Sequence, residues 1–160
     1  MAEMDDPVFY LWCPGAPRGK GRHRARIIKP RNGPPFVSMY TDAETVKYEE
    51  MVANAARAAW VGKGPLEQAL TAYIEVFIPI PESWSNRKRD AAIRGDIPAI
   101  SRPDIDNFIK IILDSLNGII LKDDAQIVSL TSTKEYSAAP GIRVQFWSWD
   151  DLTETSGVLV

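Results

Sequence analysis

The sequence predicts a single α+β domain in which a small mixed β-sheet of four to five strands packs with two main helices. Three observations lead to this fold class. A chain of 160 residues has the usual length of one domain with one hydrophobic core. Two stretches carry apolar residues at helical spacing between clear start and stop signals. Several short runs are rich in β-branched and aromatic residues and are bounded by turn residues, as is typical of strands.

The first half of the chain is predicted to hold three strands and the first main helix. The strands cover Pro7–Cys13, Arg26–Lys29 and Phe36–Tyr40, and a Pro-Gly pair ends the first of them. The dipeptide Thr41-Asp42 provides an N-cap for a helix over Ala43–Trp60, and two glycines follow its end.

The second half is predicted to complete the sheet and to add the second main helix. In chain order we expect a central strand, a short helix, the second main helix, an extended segment and two further strands: Ala69–Ile80, Asn86–Arg94, Ile105–Leu116, Gly118–Lys122, Ile127–Glu135 and Ile142–Trp149. We expect residues 1–150 to form the domain and residues 151–160, which carry acids and no base, to form a flexible tail.

Composition limits the class of protein. Cys13 is the only cysteine, so an internal disulfide is excluded, and this fits a reducing cytosol. The first residues lack the basic and apolar regions of a signal peptide, and no stretch approaches the roughly 18 apolar residues of a membrane helix. We therefore expect a cytoplasmic protein with no membrane partner.

The charge is distributed unevenly, although the net charge is only −2. Residues 14–31 hold seven lysines or arginines and no acid, and a second basic cluster lies at residues 86–89. Such blocks create a local positive field that suits a polyanion such as DNA; the alternative is a solvated loop and a solvated helix surface. The predicted DNA-binding residues are Arg18, Lys20, Arg22, Arg24, Arg26, Arg87, Lys88 and Arg89.

The stretch RPDIDNFIK, residues 102–110, places two aspartates at the start of an apolar helix. One interpretation is structural. Asp104 would belong to an S-x-x-D helix start, and Asp106 would form an ordinary i,i+4 ion pair with Lys110, worth a few tenths of a kcal/mol. The other interpretation is a metal site, and the pattern along the helix favours it. Asp106, Lys110, Asp114 and Asn117 fall in one arc of roughly 80°, and a narrow charged seam on an apolar helix must face a partner or a cleft.

A return of the chain after the helix would bring more acids to the same place. If the chain doubles back after Asn117, Asp123 and Asp124 arrive near the level of Asp104 and Asp106, because the two paths have similar lengths. Carboxylates that close repel one another unless a cation lies among them. Oxygen ligands without histidine or cysteine suit Mg²⁺, or Mn²⁺, rather than zinc.

Carboxylate-bound Mg²⁺ beside basic loops indicates phosphate-ester chemistry. A cation of this kind activates water and stabilises charge on phosphate oxygens. Lys110 is one turn above Asp106, where its charge can assist at the phosphorus. Asp114 is within ion-pair reach of Lys110, and we expect it to be structural.

The motifs P-D-I-D-N-F-I-K, L-D-S-L-N-G and K-D-D-A-Q-I resemble those of the RusA-like Holliday junction resolvases, which are crossover junction endodeoxyribonucleases. The stretch G-A-P-R-G-K-G-R-H-R resembles the basic motif of the same family, and the resemblance covers roughly residues 8–147. It implies that Asp104, Asp106 and Asp124 are the essential acids and that Lys110 is the catalytic lysine. Asp123 matches a neighbouring acid that we include among the metal ligands.

The resemblance also implies an activity and an assembly. Members are dimeric and often encoded by phages, and they make Mg²⁺-dependent paired incisions across a four-way junction during DNA recombination and repair. A two-fold homodimer offers two equivalent sites to two equivalent phosphates. Two alternatives stay open: a DNA-junction-binding module without catalysis, in which the acids only cap and pair, and a broader nuclease on flaps or other branched DNA.

Overall fold

The structure, a computed structural model, describes residues 6–151. It contains six strands, three α-helices and one short 3₁₀ helix. In chain order these are β1 (Phe9–Pro14), β2 (Arg24–Ile28), β3 (Phe36–Tyr40), α1 (Ala43–Ala59), β4 (Leu70–Pro79), α2 (Asn86–Ile93), α3 (Ile105–Leu116), the 3₁₀ helix (Asp124–Gln126), β5 (Ile127–Ser137) and β6 (Gly141–Ser148). The predicted α+β class is confirmed, and both main helices begin where the sequence indicated.

The main sheet has four strands in the order β1-β6-β4-β5, so β5 and β1 are its edges. It is mixed, because β4 pairs in parallel with β5 while the other two pairings are antiparallel. Alternate residues of β1, β4 and β6 are buried against α1 and α3, which cover the same face. This core fixes the position of α3 beside the edge strand β5.

The strands β2 and β3 form a separate two-stranded ribbon. On one of its faces lie Ala25, Ile27, Val37 and Met39, and all four are exposed. Ile27, Val37 and Met39 keep between 61% and 66% of their surface accessible. This apolar face therefore lacks the packing that the main sheet has. A two-stranded ribbon without such packing is only marginally stable in water.

The prediction of an extended segment over Gly118–Lys122 is wrong. This segment is a tight turn, in which the backbone N–H groups of Ile119, Ile120 and Leu121 all donate to the carbonyl of Leu116. Gly118 adopts a φ of 80°, a left-handed conformation that favours glycine. Ile120 and Leu121 are fully buried, and the pairing of this segment is limited to isolated bridges of Leu121 with Leu66 and Asn117.

The predicted flexible tail lies outside the described residues from position 152 onward. Residues 149–151 are helical and follow β6. Within residues 6–151, none of the helices combines the length and the apolar character that crossing a bilayer requires.

Candidate active site

The side chain of Asp104, at the start of α3, forms no hydrogen bond or ion pair within the described residues 6–151. Asp104 occupies the N-cap position with extended backbone angles, but its side chain makes no capping hydrogen bond. Its backbone carbonyl instead accepts a hydrogen bond from the N–H of Asn107 at 3.1 Å. The capping interpretation of this carboxylate is therefore wrong.

The side chain of Asp106 likewise has no partner within the described residues. It is exposed in the first turn of α3, and within residues 6–151 its side chain makes no hydrogen bond or ion pair. The expected ion pair between Asp106 and Lys110 does not form, because Lys110 reaches toward the opposite end of the helix. Its Nζ lies 2.9 Å from Asp114 Oδ1 and 3.9 Å from Asp124 Oδ2.

The two neighbouring acids after α3 have different roles. Asp123 caps the 3₁₀ helix: its Oδ1 accepts from the N–H of Ala125 at 2.8 Å, and its own N–H donates to Gln126 Oε1 at 2.9 Å. The side chain of Asp124 is 36% exposed, and its ion pair is the one with Lys110. The chain thus does turn back far enough for Asp124 to meet Lys110 on α3.

Five side chains of alternating charge connect α1, the basic segment (residues 14–31), α3 and the 3₁₀ helix. Lys20 Nζ pairs with Glu49 and lies 2.9 Å from Asp114 Oδ2, while the other oxygen of Asp114 holds Lys110, which in turn faces Asp124. We call this set, Glu49, Lys20, Asp114, Lys110 and Asp124, the ion-pair chain. Sequence reasoning missed Glu49 as a member, because the pairing with Lys20 joins residues far apart in the chain.

The ion-pair chain perturbs the pKa values of its members. The hydrogen bond and charge of Asp114 raise the pKa of Lys110 above its ordinary value. Burial alone would raise the pKa of Asp114, but hydrogen bonds from Lys110 and Lys20 outweigh it and hold that pKa below the usual range. Lys110, Asp114 and Lys20 therefore all stay charged at neutral pH.

The basic segment is docked against the start of α3 by its backbone. The N–H of Lys20 donates to the carbonyl of Asn107 at 3.0 Å. A Cβ added at Gly19 would lie only 2.6 Å from the Cβ of Pro103, so glycine permits this close approach. The approach places Gly19 and Lys20, which precede β2, beside the residues at the start of α3.

The predicted DNA-binding residues divide into free and committed groups. Arg22, Arg24 and Arg26 are exposed at and before β2, and they form no ion pair or side-chain hydrogen bond within residues 6–151. Arg24 and Arg26 share one face of the ribbon, opposite the apolar face. Arg18 lies 3.5 Å from Asp42, and Lys20 is held in the ion-pair chain.

The second basic cluster lies on α2 and is partly used by the fold. The Nζ of Lys88 lies 3.8 Å from the ring centroid of Trp84, and Arg89 donates to the carbonyl of Pro81 at 3.0 Å. Trp84 itself packs edge-on against Tyr136. Arg87 is exposed, so it retains the most freedom to contact another molecule.

Lys134 on β5 secures the segment that carries Asp104. Its Nζ donates to the carbonyls of Ser101 and Pro103 at 2.8 and 3.0 Å. The register of β5 places Lys134 beside Val76, on the face of the sheet that α3 covers. A lysine at an inward position of a strand was the signal for this role, and sequence reasoning missed it.

An apolar groove runs between α3 and β5, next to the free acids. Its volume is about 400 Å³. The groove is lined by Ile105, Asp106, Ile109, Lys110, Leu113, Leu130 and Ser132. A carboxylate and an ammonium group therefore stand at the edge of an apolar surface.

The acidic residues fit a hard divalent cation by their chemistry. Within residues 6–151, the carboxylates of Asp104 and Asp106 have no hydrogen bond or ion pair. The carboxylate of Asp124 could bind a cation in place of Lys110, from which it is 3.9 Å away. In residues 6–151, however, no three acidic, histidine or cysteine side chains lie close enough together to form a ready metal site. The metal-ligand set Asp104, Asp106, Asp123 and Asp124 stays a prediction.

Similarity to known proteins agrees with this arrangement. A family model described as endodeoxyribonuclease RusA matches residues 14–146, a range that includes every candidate site residue. The chain therefore belongs to the RusA family of endodeoxyribonucleases, and the resemblance seen in the motifs is confirmed. It is also 34% identical over 144 residues to the uncharacterised protein YqaN of Bacillus subtilis (strain 168), covering 88% of this chain and 95% of that protein.

Proposed function

We propose that this protein is a Mg²⁺-dependent, structure-specific endodeoxyribonuclease that resolves four-way DNA junctions by paired, symmetric phosphodiester cleavage. Asp104, Asp106 and Asp124 bind the cation, with Asp123 beside them, and Lys110 assists at the scissile phosphate. Mn²⁺ substitutes for Mg²⁺ at an all-oxygen site. The protein acts as a homodimer, from a bacterial or phage genome, in recombination and repair.

One observation supports this proposal above the others: within residues 6–151, the side chains of the two aspartates at the start of α3 have no hydrogen bond or ion pair, while Asp114 and Asp124 are paired. Asp104 and Asp106 can therefore bind a divalent cation without losing such a contact. Family membership supports nuclease activity and the kind of ligand.

The residues of the site have separable tasks in the reaction. When bound, a divalent cation supplies charge neutralisation at the phosphate oxygens and activation of water. The amine of Lys110 is protonated at neutral pH, as lysine ordinarily is, and the hydrogen bond and charge of Asp114 raise its pKa further. Its ammonium group therefore donates hydrogen bonds to the phosphate, where charge develops as the phosphodiester bond breaks, and it does not act as a base.

The arginines of the ribbon hold the DNA backbone. Within residues 6–151, Arg22, Arg24 and Arg26 are exposed and form no ion pair or side-chain hydrogen bond, so they can replace the counterions of phosphates without breaking such a contact. Contacts of this kind supply affinity and position the duplex, but they carry no sequence readout.

The apolar face of the ribbon supports the homodimer. Four exposed apolar side chains on one face, Ala25, Ile27, Val37 and Met39, are costly to leave in water, and a second copy of the chain would cover them. Substituting Ile27→Glu together with Val37→Glu should shift the protein from dimer to monomer in light scattering. An unchanged dimer would move the interface elsewhere.

The test of the activity uses a labelled synthetic four-way junction, with linear duplex, flap and Y-shaped substrates as controls. We expect symmetric nicks on the junction only, and only with Mg²⁺ or Mn²⁺. Equal cleavage of flaps would indicate the broader branched-DNA nuclease. Tight junction binding without cleavage in either metal would indicate a binding module and contradict the proposal.

A further inference from the structure

The ion-pair chain contains a carboxylate, Asp114, that the proposed reaction does not use directly. We propose that Asp114 is the positioning residue for Lys110: it holds the lysine amine at the edge of the acidic corner. The inference rests on the proposed nuclease activity and adds a residue to its machinery.

The geometry of Lys110 shows why it needs a positioning partner. Its side chain is 59% exposed, so packing restrains it little. A lysine stem has many rotamers of similar energy, so the amine stays in place only where a partner holds it. Asp114 Oδ1 lies 2.9 Å from this amine, whereas Asp124 lies 3.9 Å away, so Asp114 is the partner that fixes it.

Asp114 can hold Lys110 because it is itself held. Its side chain is only 22% exposed, and its second oxygen, Oδ2, is 2.9 Å from the amine of Lys20. Lys20 is tied in turn to Glu49 on α1, and its backbone N–H is tied to Asn107 on α3. The amine of Lys20 thus holds Oδ2 of Asp114, and Oδ1 of Asp114 holds the amine of Lys110.

This arrangement gives Lys20 a different task from the arginines that follow it. Lys20 was predicted to contact DNA, but its amine already has two carboxylate partners. Its effect on cleavage would therefore pass through Asp114. We expect the effect on cleavage to be smaller for Glu49→Gln than for Asp114→Asn, because Glu49 is two pairings farther from Lys110 along the ion-pair chain.

The first test measures single-turnover cleavage of a four-way junction at saturating protein and Mg²⁺. Asp114→Asn should lower the rate roughly 10- to 100-fold, the scale of a misplaced catalytic group. The junction Kd should change less than about twofold, since Asp114 faces two lysines of its own chain and not the DNA. Asp114→Glu, which keeps the carboxylate, should recover part of the rate.

A second measurement reads the lysine directly and needs no activity. The ¹⁵N order parameter of the Lys110 ammonium group, measured by NMR on the free protein, should fall in Asp114→Asn. The matched control is Asp96→Asn, which breaks an exposed ion pair of similar length with Arg94 on the far side of α2. It should change neither the order parameter nor the cleavage rate.

The outcomes separate the two proposals. If wild-type protein does not cleave the junction, the proposed nuclease function fails, and the inference fails with it. If wild type cleaves and Asp114→Asn cleaves equally well, the positioning role is overturned while the function stands. An order parameter for Lys110 that is unchanged in Asp114→Asn would overturn it as well, even if cleavage were slower.

Discussion

The two ends of helix α3 carry acids in opposite situations. At its start, Asp104 and Asp106 are exposed and have no partner within the described residues 6–151. Near its end, Asp114 is mostly buried and paired with two lysines. A paired charge stabilises the fold, whereas an unpaired one does little for it and remains available to a ligand. The difference indicates that the carboxylates of the first turn are available to a ligand, whereas the carboxylate of Asp114 is already held by its own chain.

The largest expected effect tests the free end of the helix. Asp104→Asn and Asp106→Asn should each lower junction cleavage by more than the roughly 10- to 100-fold that loss of an outer-shell partner costs. The free energy of unfolding should stay within about 0.5 kcal/mol of wild type, since no partner is lost. Cleavage assays and urea denaturation measure the two quantities. A variant with clearly lower stability but normal cleavage would contradict this prediction, because its aspartate would then stabilise the fold and not take part in the reaction.

The next effect concerns binding rather than cleavage. Arg24→Ala with Arg26→Ala should weaken junction binding roughly tenfold and lower the salt slope of log Kd by about 1.8, if each arginine neutralises one phosphate. Titrations at several salt concentrations measure the slope. Arg94→Ala is a matched control, because its guanidinium already pairs with Asp96. A slope equal to that of wild type would place the DNA on another face.

A smaller effect should follow from Lys134, which supports the free end from β5. Lys134→Met keeps the stem but loses the two hydrogen bonds to the carbonyls of Ser101 and Pro103. We expect cleavage to slow by a few-fold and stability to fall by about 1 kcal/mol, the usual net value of such bonds. Lys122→Met, which breaks an exposed pair with Glu67, serves as the control. Equal losses in both variants would mean that the effect is not specific to the segment before α3.

The smallest effect is a pH dependence at the paired end. The folded pKa of Asp114 is below its unfolded value, because two lysines favour the carboxylate. Its contribution to stability is therefore complete above the unfolded pKa and is lost as the pH falls through the folded pKa. Wild type should lose slightly more stability than Asp114→Asn between about pH 5 and pH 2, by a few tenths of a kcal/mol. Thermal melts across this range measure the difference, and parallel curves would contradict it.

Local signals in the sequence predicted most of the fold. The N-cap at Asp42 placed the start of α1 correctly, since its side chain does accept from the N–H of Thr45 at 3.0 Å. The segment Gly118–Lys122 was misread because an apolar run looks alike in a strand and in a buried turn. The backbone hydrogen bonds from Ile119, Ile120 and Leu121 to the carbonyl of Leu116 distinguish the two.

The candidate site was predictable in its residue types but not in its pairings. Spacing along α3 predicted that Asp114 would pair with Lys110, and this is confirmed. Spacing equally allowed Asp106 to pair with Lys110, and the choice between them depends on tertiary structure. Asp123, predicted as a metal ligand, caps the 3₁₀ helix, while Asp104, for which capping was one of two interpretations, makes no side-chain capping hydrogen bond. The ligand set and the DNA contacts stay predictions.

The docking of the basic ribbon has a consequence for protein engineering. Within residues 6–151 the ribbon pairs with no strand of the main sheet, and it joins the domain at its two ends: Gly19 and Gly21 lie against the starts of α3 and α1, and β3 leads directly into α1. The strands of the ribbon can therefore change in length and in side chains without altering the core. Transplanting a ribbon that keeps the apolar face but carries a different charge should alter how tightly DNA is held, while the side chains on α3 keep their places.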